Sequence, residues 1–266
     1  MIPARKNPYV DRWFRGYSRR YLQQSFHRIL LAGDLPQAPD GPLIVCLNHS
    51  SWWDLLVAFW LCRDLLDWDG YGPMDERQLR RYGILTRIGV FGVERESLHG
   101  GREFLGYATS ILAGRRRVLW ITAQGAMLSN DVRPVRFYSG VAHLAQALGP
   151  CHVTTLALDY EFWDEKRPEV FLQFGPMRRV EAGEPVARRE LLRGLEGELE
   201  RQMDELAALR RQRDPSLFRV VLESGGGVSP VYDAWRRLNA WRHGEEYSRE
   251  HGAVATPPRW GPAGRR

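Results

Sequence analysis

Along the first two thirds of the chain, short uninterrupted apolar runs alternate with longer segments in which apolar residues recur every third or fourth position. These are the signatures of buried strands and amphipathic helices. Leu43–Leu47 reads as a strand and residues 53–65 as the helix after it. Residues 78–88 read as a helix, Val90–Val93 as a short strand, 102–112 as a helix, 118–122 as an apolar strand, Gly140–Leu148 as a helix, and 152–160 and Glu169–Phe174 as strands. Strands separated by helices predict an α/β fold with a mostly parallel central sheet flanked by helices, in which sites gather at the carboxyl ends of strands. His49, Arg95 and Gln124 each follow a predicted strand, so the fold is expected to bring them together.

The two ends differ from this pattern. Near the start, Val10, Trp13, Phe14, Tyr17 and Tyr21 follow a helical period, with Arg12, Arg15, Arg19 and Arg20 interleaved. Such a helix suits a lipid–water interface, where rings sit at headgroup level and arginines meet phosphates. It equally suits a helix packed on the domain with a solvated basic side. Residues 188–213 predict a charged helix carrying Leu192, Leu195, Leu199, Met203, Leu206 and Leu209 on one side, closed by Asp214-Pro215 and covering the sheet. After a Ser224-Gly225-Gly226-Gly227 break, Val231, Trp235, Leu238 and Trp241 repeat a helical spacing beside Arg236, Arg237 and Arg242, and the composition from about residue 251 predicts a disordered tail. There is no internal repeat.

Composition narrows the partners. With 266 residues and 44% hydrophobic content, the chain has material for one large α/β core or two small ones. A net charge of +6 fits nucleic acid, an anionic membrane surface or a charged small substrate. The absence of a recognisable nucleic-acid-binding motif, and arginines interleaved with aromatic rings, argue against nucleic acid. The apolar run at 55–62 falls short of the roughly 20 residues that span a bilayer. No secretory signal pattern is evident, so the expected location is cytoplasmic. Cys46, Cys62 and Cys151 lie in apolar surroundings without metal-ligand spacing and read as reduced, buried thiols.

The chemistry centres on Asn48-His49-Ser50-Ser51-Trp52-Trp53-Asp54. Ser51 and Asp54 have the capping-box spacing, so the carboxylate fits the start of a helix with His49 as a bystander. Alternatively His49 removes a proton from a substrate hydroxyl while Asp54 holds the far ring nitrogen. A histidine–aspartate pair without a protein nucleophile implies attack by the substrate's own hydroxyl on an activated acyl group. A hydrolase is disfavoured because the chain lacks a Gly-x-Ser-x-Gly elbow.

The same block resembles the N-H-x-x-x-x-D motif of the glycerophospholipid acyltransferases. Gly89-Val90-Phe91-Gly92-Val93-Glu94-Arg95 is similar to that family's second block, and Ile121-Thr122-Ala123-Gln124-Gly125 occupies the place of the third, usually F-P-E-G-T-R. His152-Val153-Thr154-Thr155-Leu156-Ala157 stands where the fourth, usually containing proline, belongs. Order and spacing agree over about residues 26–175. The resemblance implies transfer of an acyl group from acyl-CoA or acyl-carrier protein to a hydroxyl of a lipid acceptor, with His49 as general base and Asp54 as its orienter. It further implies substrate contacts from Asn48, Ser51, Arg95, Gln124 and Gly125, with Arg95 on the acceptor headgroup, and no metal or redox cofactor. For Arg95 the competing reading is a surface ion pair with Glu94 or Glu96.

Three departures stand out: glutamine at 124 where the family usually has glutamate, Ala126-Met127 in place of Thr-Arg, and Thr155 in place of proline. They favour an acceptor other than lysophosphatidic acid, such as a lysophospholipid, glycerolipid, glycolipid or glycosylated isoprenoid, with Arg133 and Arg136 as possible substitutes for the missing arginine. If Gln124 marks a decayed site, the alternative is a non-catalytic or weakly active membrane-lipid-binding member of the fold. The expected organisation is an amphipathic membrane-association helix at 1–25, an acyltransferase domain at 26–222, and a C-terminal amphipathic helix and tail at 223–266. The protein is expected on the inner face of the membrane as a peripheral protein, its partners the acyl donor thioester, the lipid acceptor and an anionic membrane surface. The sequence leaves the oligomeric state open.

Overall fold

A computed structural model describes residues 1–37, 39–95, 97–114, 116–181 and 188–224, so the helix expected at 230–247 and the tail beyond it lie outside the described residues. Its strands are β1 (Arg28–Ala32), β2 (Leu43–Leu47), β3 (Asp69–Asp75), β4 (Val90–Val93), β5 (Arg117–Ile121), β6 (Cys151–Glu161), β7 (Glu169–Phe174), β8 (Arg178–Val180) and β9 (Arg219–Glu223). They form one sheet in the order β4-β3-β5-β2-β6-β7-β1-β9, with β8 added on β6. The run β4-β3-β5-β2-β6 is parallel throughout. Antiparallel pairs enter at β6 with β7 and β8, and at β1 with β9, while β1 and β7 are parallel.

β2 is the central strand of the site. All five of its residues are buried, because it is hydrogen-bonded on both sides and covered on both faces. This burial is why it reads as an unbroken apolar run and not an alternating one. Helix α2 (Trp53–Asp64) and the end of α1 (Pro8–Ser25) cover one face of the sheet, joined to it by a core that includes Leu22, Phe26, Trp60, Leu61 and Trp120. The other face carries α4 (Leu98–Leu112), α5 (Gly140–Leu148) and α6 (Arg188–Arg211). The expected stripe of α6 is present: Leu195, Leu199, Met203 and Leu206 are buried, while Leu192 and Leu209 pack at its margin.

The sequence reading lacks β1, β8 and β9, and two further features differ from it. The segment expected as one helix at 78–88 is split into α3 (Glu76–Arg81) and a 3-10 turn (Gly83–Ile88), which ends at Gly89 with φ +107°. That left-handed conformation turns the chain straight into β4 at little steric cost for glycine. Strand β3 escapes the pattern because glycine and proline replace the apolar residues that would announce it. The structure needs one of those glycines, since a side chain at Gly70 would strike the Cys62 sulfur, which donates to the Trp68 carbonyl at 3.0 Å. The three cysteines are free and buried, and burial pushes Cys46 and Cys151 up to about 12 and Cys62 up to about 11.

Helix α1 packs on the domain along one side and is exposed along the other. Val10 and Phe14 pack against Leu79, Ile88 and Val90, and Arg63 of α2 binds Asp11 at 2.9 Å and the Ile88 carbonyl at 2.8 Å. Tyr9, Trp13 and Tyr17 stay exposed on the outer side. The aromatic stripe is therefore divided between core and solvent, and Arg15 and Arg19 lie beside Asp64.

Leu199 is fully buried where α6 meets the sheet, so Leu199→Ala is expected to cost about 2–5 kcal/mol through lost transfer energy and a cavity. Urea unfolding checks this as a lower midpoint with an unchanged slope; an unaltered midpoint would mean that α6 is not part of the cooperative core.

Candidate active site

The site begins where β2 runs out. Beyond Leu47, Asn48 continues the strand with its side chain: its carbonyl oxygen accepts from Leu158 N at 2.7 Å, and its amide donates to the Leu158 carbonyl at 2.9 Å and to Asn130 Oδ1 at 2.7 Å. The side chain thus imitates one more residue of the pairing with β6. Asn48 is 1% exposed and its amide is occupied by protein, so its observed contacts are structural. It clamps the His49–Asp54 block to β6.

His49 and Asp54 meet directly. His49 Nδ1 lies 2.8 Å from Asp54 Oδ2, the imidazole partly exposed and the carboxylate completely buried. The same Oδ2 accepts from Ser50 N at 2.8 Å and Ser51 N at 2.9 Å. The helix-start role and the histidine-orienting role, alternatives in the sequence, are held by one side chain. A carboxylate accepting at Nδ1 requires that nitrogen to carry the proton, which leaves the Nε2 lone pair for a substrate hydroxyl. The Ser51 hydroxyl accepts from Trp53 N at 3.3 Å, at the start of α2, so its observed contact is with the helix end.

The expected third block lies across from this pair. Gln124 Oε1 accepts from His49 N at 3.0 Å, and Leu128 N donates to the His49 carbonyl at 2.7 Å. The histidine backbone is held on both sides by the loop that follows β5. Gly125, at φ +73°, presents its carbonyl to the Arg95 guanidinium, which lies 5.7 Å from the Tyr138 ring centroid. A side chain at 125 would displace both groups, and the left-handed backbone there favours glycine. Arg95 is thus joined to the Gly125 loop.

That loop is anchored from α6. Phe137 N donates to Glu196 Oε1 and Val135 N to Glu200 Oε2, both at 2.8 Å, and Tyr138 N donates to the Ala123 carbonyl at 2.9 Å. Arg133 is committed to Asp204 and to the Asn130 carbonyl, and the exposed Arg136 lies 3.5 Å from Glu196. Thr155, where proline was expected, donates its hydroxyl to Gln202 of α6. The sequence reading missed three residues of this assembly: Asn130, Tyr138 and Tyr160, whose hydroxyl donates to Asp54 Oδ1 at 2.7 Å. Tyr160 had the same signal as His49 and Gln124, a polar group near the carboxyl end of a strand.

A model of the acyltransferase family matches residues 28–159, a span that contains His49, Asp54, Arg95, Gln124 and Gly125. A search of curated proteins finds no significant match. Among solved structures, the chain is similar to the crystal structure of the 1-acyl-sn-glycerophosphate (LPA) acyltransferase PlsC from Thermotoga maritima, with a TM-score of 0.52 and 18% identity, over 75% of this chain and 80% of that one. At that identity the likeness is one of fold. The family match and the shared architecture of a mostly parallel sheet flanked by helices agree with the order of the sequence motifs, and residues 28–159 belong to the acyltransferase family.

Proposed function

We propose that this acyltransferase moves a fatty acyl group from a thioester donor, acyl-CoA or acyl-carrier protein, to a hydroxyl of a lipid acceptor, with His49 as general base. The observation that carries this reading is the His49–Asp54 pair: a carboxylate with no exposure on Nδ1 of a partly exposed imidazole. In the proposed step His49 Nε2 takes the proton of the acceptor hydroxyl as its oxygen attacks the thioester carbonyl. Collapse of the tetrahedral intermediate breaks the carbon–sulfur bond, and the imidazolium returns the proton to the thiolate. Asp54 stabilises the imidazolium between the two transfers, as the acid does in the serine-protease triad.

Arg95 and the Gly125–Tyr138 loop are the candidate acceptor-headgroup site. Arg133 is spent on α6 and the Thr-Arg of the usual third block is absent, which favours an acceptor with less headgroup charge than lysophosphatidic acid. Lysophospholipids, glycerolipids, glycolipids and glycosylated isoprenoids fit that description.

We further propose peripheral attachment to the inner face of the membrane through α1. No helix among the described residues is long and apolar enough to cross a bilayer. Exposed Trp13 and Tyr17 stack at 5.2 Å, Tyr17 lies 5.6 Å from Tyr21, Tyr21 5.2 Å from Trp53, and Trp53 5.3 Å from the exposed Trp52. This chain of rings leads from the outer side of α1 to the catalytic block, which supports a lipid surface beside His49.

With purified protein, an acyl-CoA and a panel of acceptors, His49→Ala is expected to lower acceptor-dependent thiol release by about 10²–10⁴-fold. Equal release by wild type and variant would sink the general-base assignment, and lysophosphatidic acid outcompeting every neutral acceptor would remove the acceptor reading. In flotation with anionic vesicles, the wild type should float at low salt and less at high salt, while Trp13→Ala/Tyr17→Ala stays at the bottom. Unchanged flotation of that variant would count against α1.

A further inference from the structure

We propose that Tyr160 is a positioning residue of the His49–Asp54 pair, acting through its hydroxyl on the far oxygen of the carboxylate. The proposal rests on the general-base reading above and names a residue which that reading does not contain.

The hydrogen bonds on Asp54 are unequally divided. Oδ2 takes three donors, His49 Nδ1, Ser50 N and Ser51 N, all from its own block, whereas Oδ1 takes the Tyr160 hydroxyl at 2.7 Å from 106 residues away. An aspartate carboxylate turns about a broad, roughly two-fold torsion. Three donors on one oxygen fix where that oxygen is, and a donor on the other fixes the plane. The plane decides whether an Oδ2 lone pair is aimed at Nδ1, so the phenol sets the direction of the imidazole without touching substrate. Burial of Oδ1 without this donor would also leave a charged acceptor unsatisfied, which is costly in a dry site.

The phenol is itself held. Tyr160 pairs with Val170 across β6 and β7, its N–H donates to Asp159 Oδ1 at 2.9 Å, and Asp159 also accepts from Asn130 at 2.9 Å. Its ring lies 5.8 Å from Phe26, which meets Trp53 edge-on at 4.9 Å. Burial, and then the adjacent Asp54 charge, push the phenol well above its ordinary value, so it stays protonated and serves as a donor. Neighbours that fix the ring therefore fix the hydroxyl, the supporting shell a preorganised pair requires.

The test uses the full chain. Tyr160→Phe, which removes a single oxygen, is expected to lower kcat about tenfold with KM for both substrates within about twofold, because the group acts on transition-state geometry and not on substrate binding. In an Asp54→Asn background the same substitution should change kcat by less than about twofold, since its point of action is gone. A second readout needs no turnover. In protein labelled with ¹⁵N-histidine, the His49 Nδ1–H resonance, assigned by its loss in His49→Gln, should be sharp in wild type and broadened or absent in Tyr160→Phe. Phe26→Leu keeps every hydrogen bond to Asp54 but loosens the ring, and should give the same change in smaller measure. A Tyr160→Phe protein with wild-type kcat and an unchanged resonance overturns the proposal, as does an equal tenfold loss in the Asp54→Asn background. Absence of acyl transfer in wild type would instead strike the functional reading, and the resonance would still decide the role of Tyr160.

Discussion

Everything at this site depends on one buried carboxylate. Asp54 is fully enclosed at the start of α2, and a charge in that position persists only if donors surround it. Two backbone N–H groups, an imidazole and a phenol supply them. The helix start contributes further, since the orphan amides and the positive end of the helix dipole lie at the first turn, where Asp54 sits. The same contacts that make the charge tolerable fix its geometry, so folding and preorganisation are one event.

The carboxylate in turn dictates what the loops around it do. His49 must present its ring to Asp54, and its backbone is held by Gln124 on the amide side and Leu128 on the carbonyl side. Both belong to the loop after β5, which Glu196 and Glu200 of α6 hold by accepting from its backbone amides. A helix late in the chain thereby braces the backbone of His49. Asn48 and Asn130 extend the brace to β6, where Asp159 and Arg210 form an ion pair at 2.6 Å. Coupling of this kind is contiguous and physical, a chain of satisfied polar groups in a low-dielectric interior.

The sequence made most of the sheet legible where strands are apolar and covered on both faces, although β1, a strand of that kind, escaped it. β2, β5, β6 and β7 announce themselves as runs of Leu, Ile and Val, and α6 by its leucine stripe. β3 was hidden because close packing against α2 demanded glycine where a strand normally carries a branched side chain. At the site, spacing alone gave His49 and Asp54 two incompatible readings, and only coordinates show that one carboxylate satisfies both. Asn48 carried a motif position that suggests substrate contact, yet its burial makes it a strand extension. Tyr160 carried the placement signal, a polar group near the carboxyl end of a strand, but its partner is 106 residues distant and nothing local says that its hydroxyl meets Asp54.

The departures in the third block are easier to understand together than singly. Gln124 uses its side-chain oxygen to hold His49 N, and a glutamate would offer an oxygen in the same place, so the anchoring function survives the change. What is lost is one negative charge beside the His49–Asp54 pair and next to the Arg95–Gly125 contact. Against the usual pattern, the arginine that should follow is also missing, with Met127 in its place. One charge of each sign has been removed from the same loop, leaving its net charge unaltered while the number of ionic groups falls by two. In a partly enclosed site such a change weakens selection for densely charged headgroups while the desolvation cost of binding a neutral polyhydroxyl group also falls. The substitutions thus compensate each other electrostatically, which fits the acceptor of lower headgroup charge proposed above.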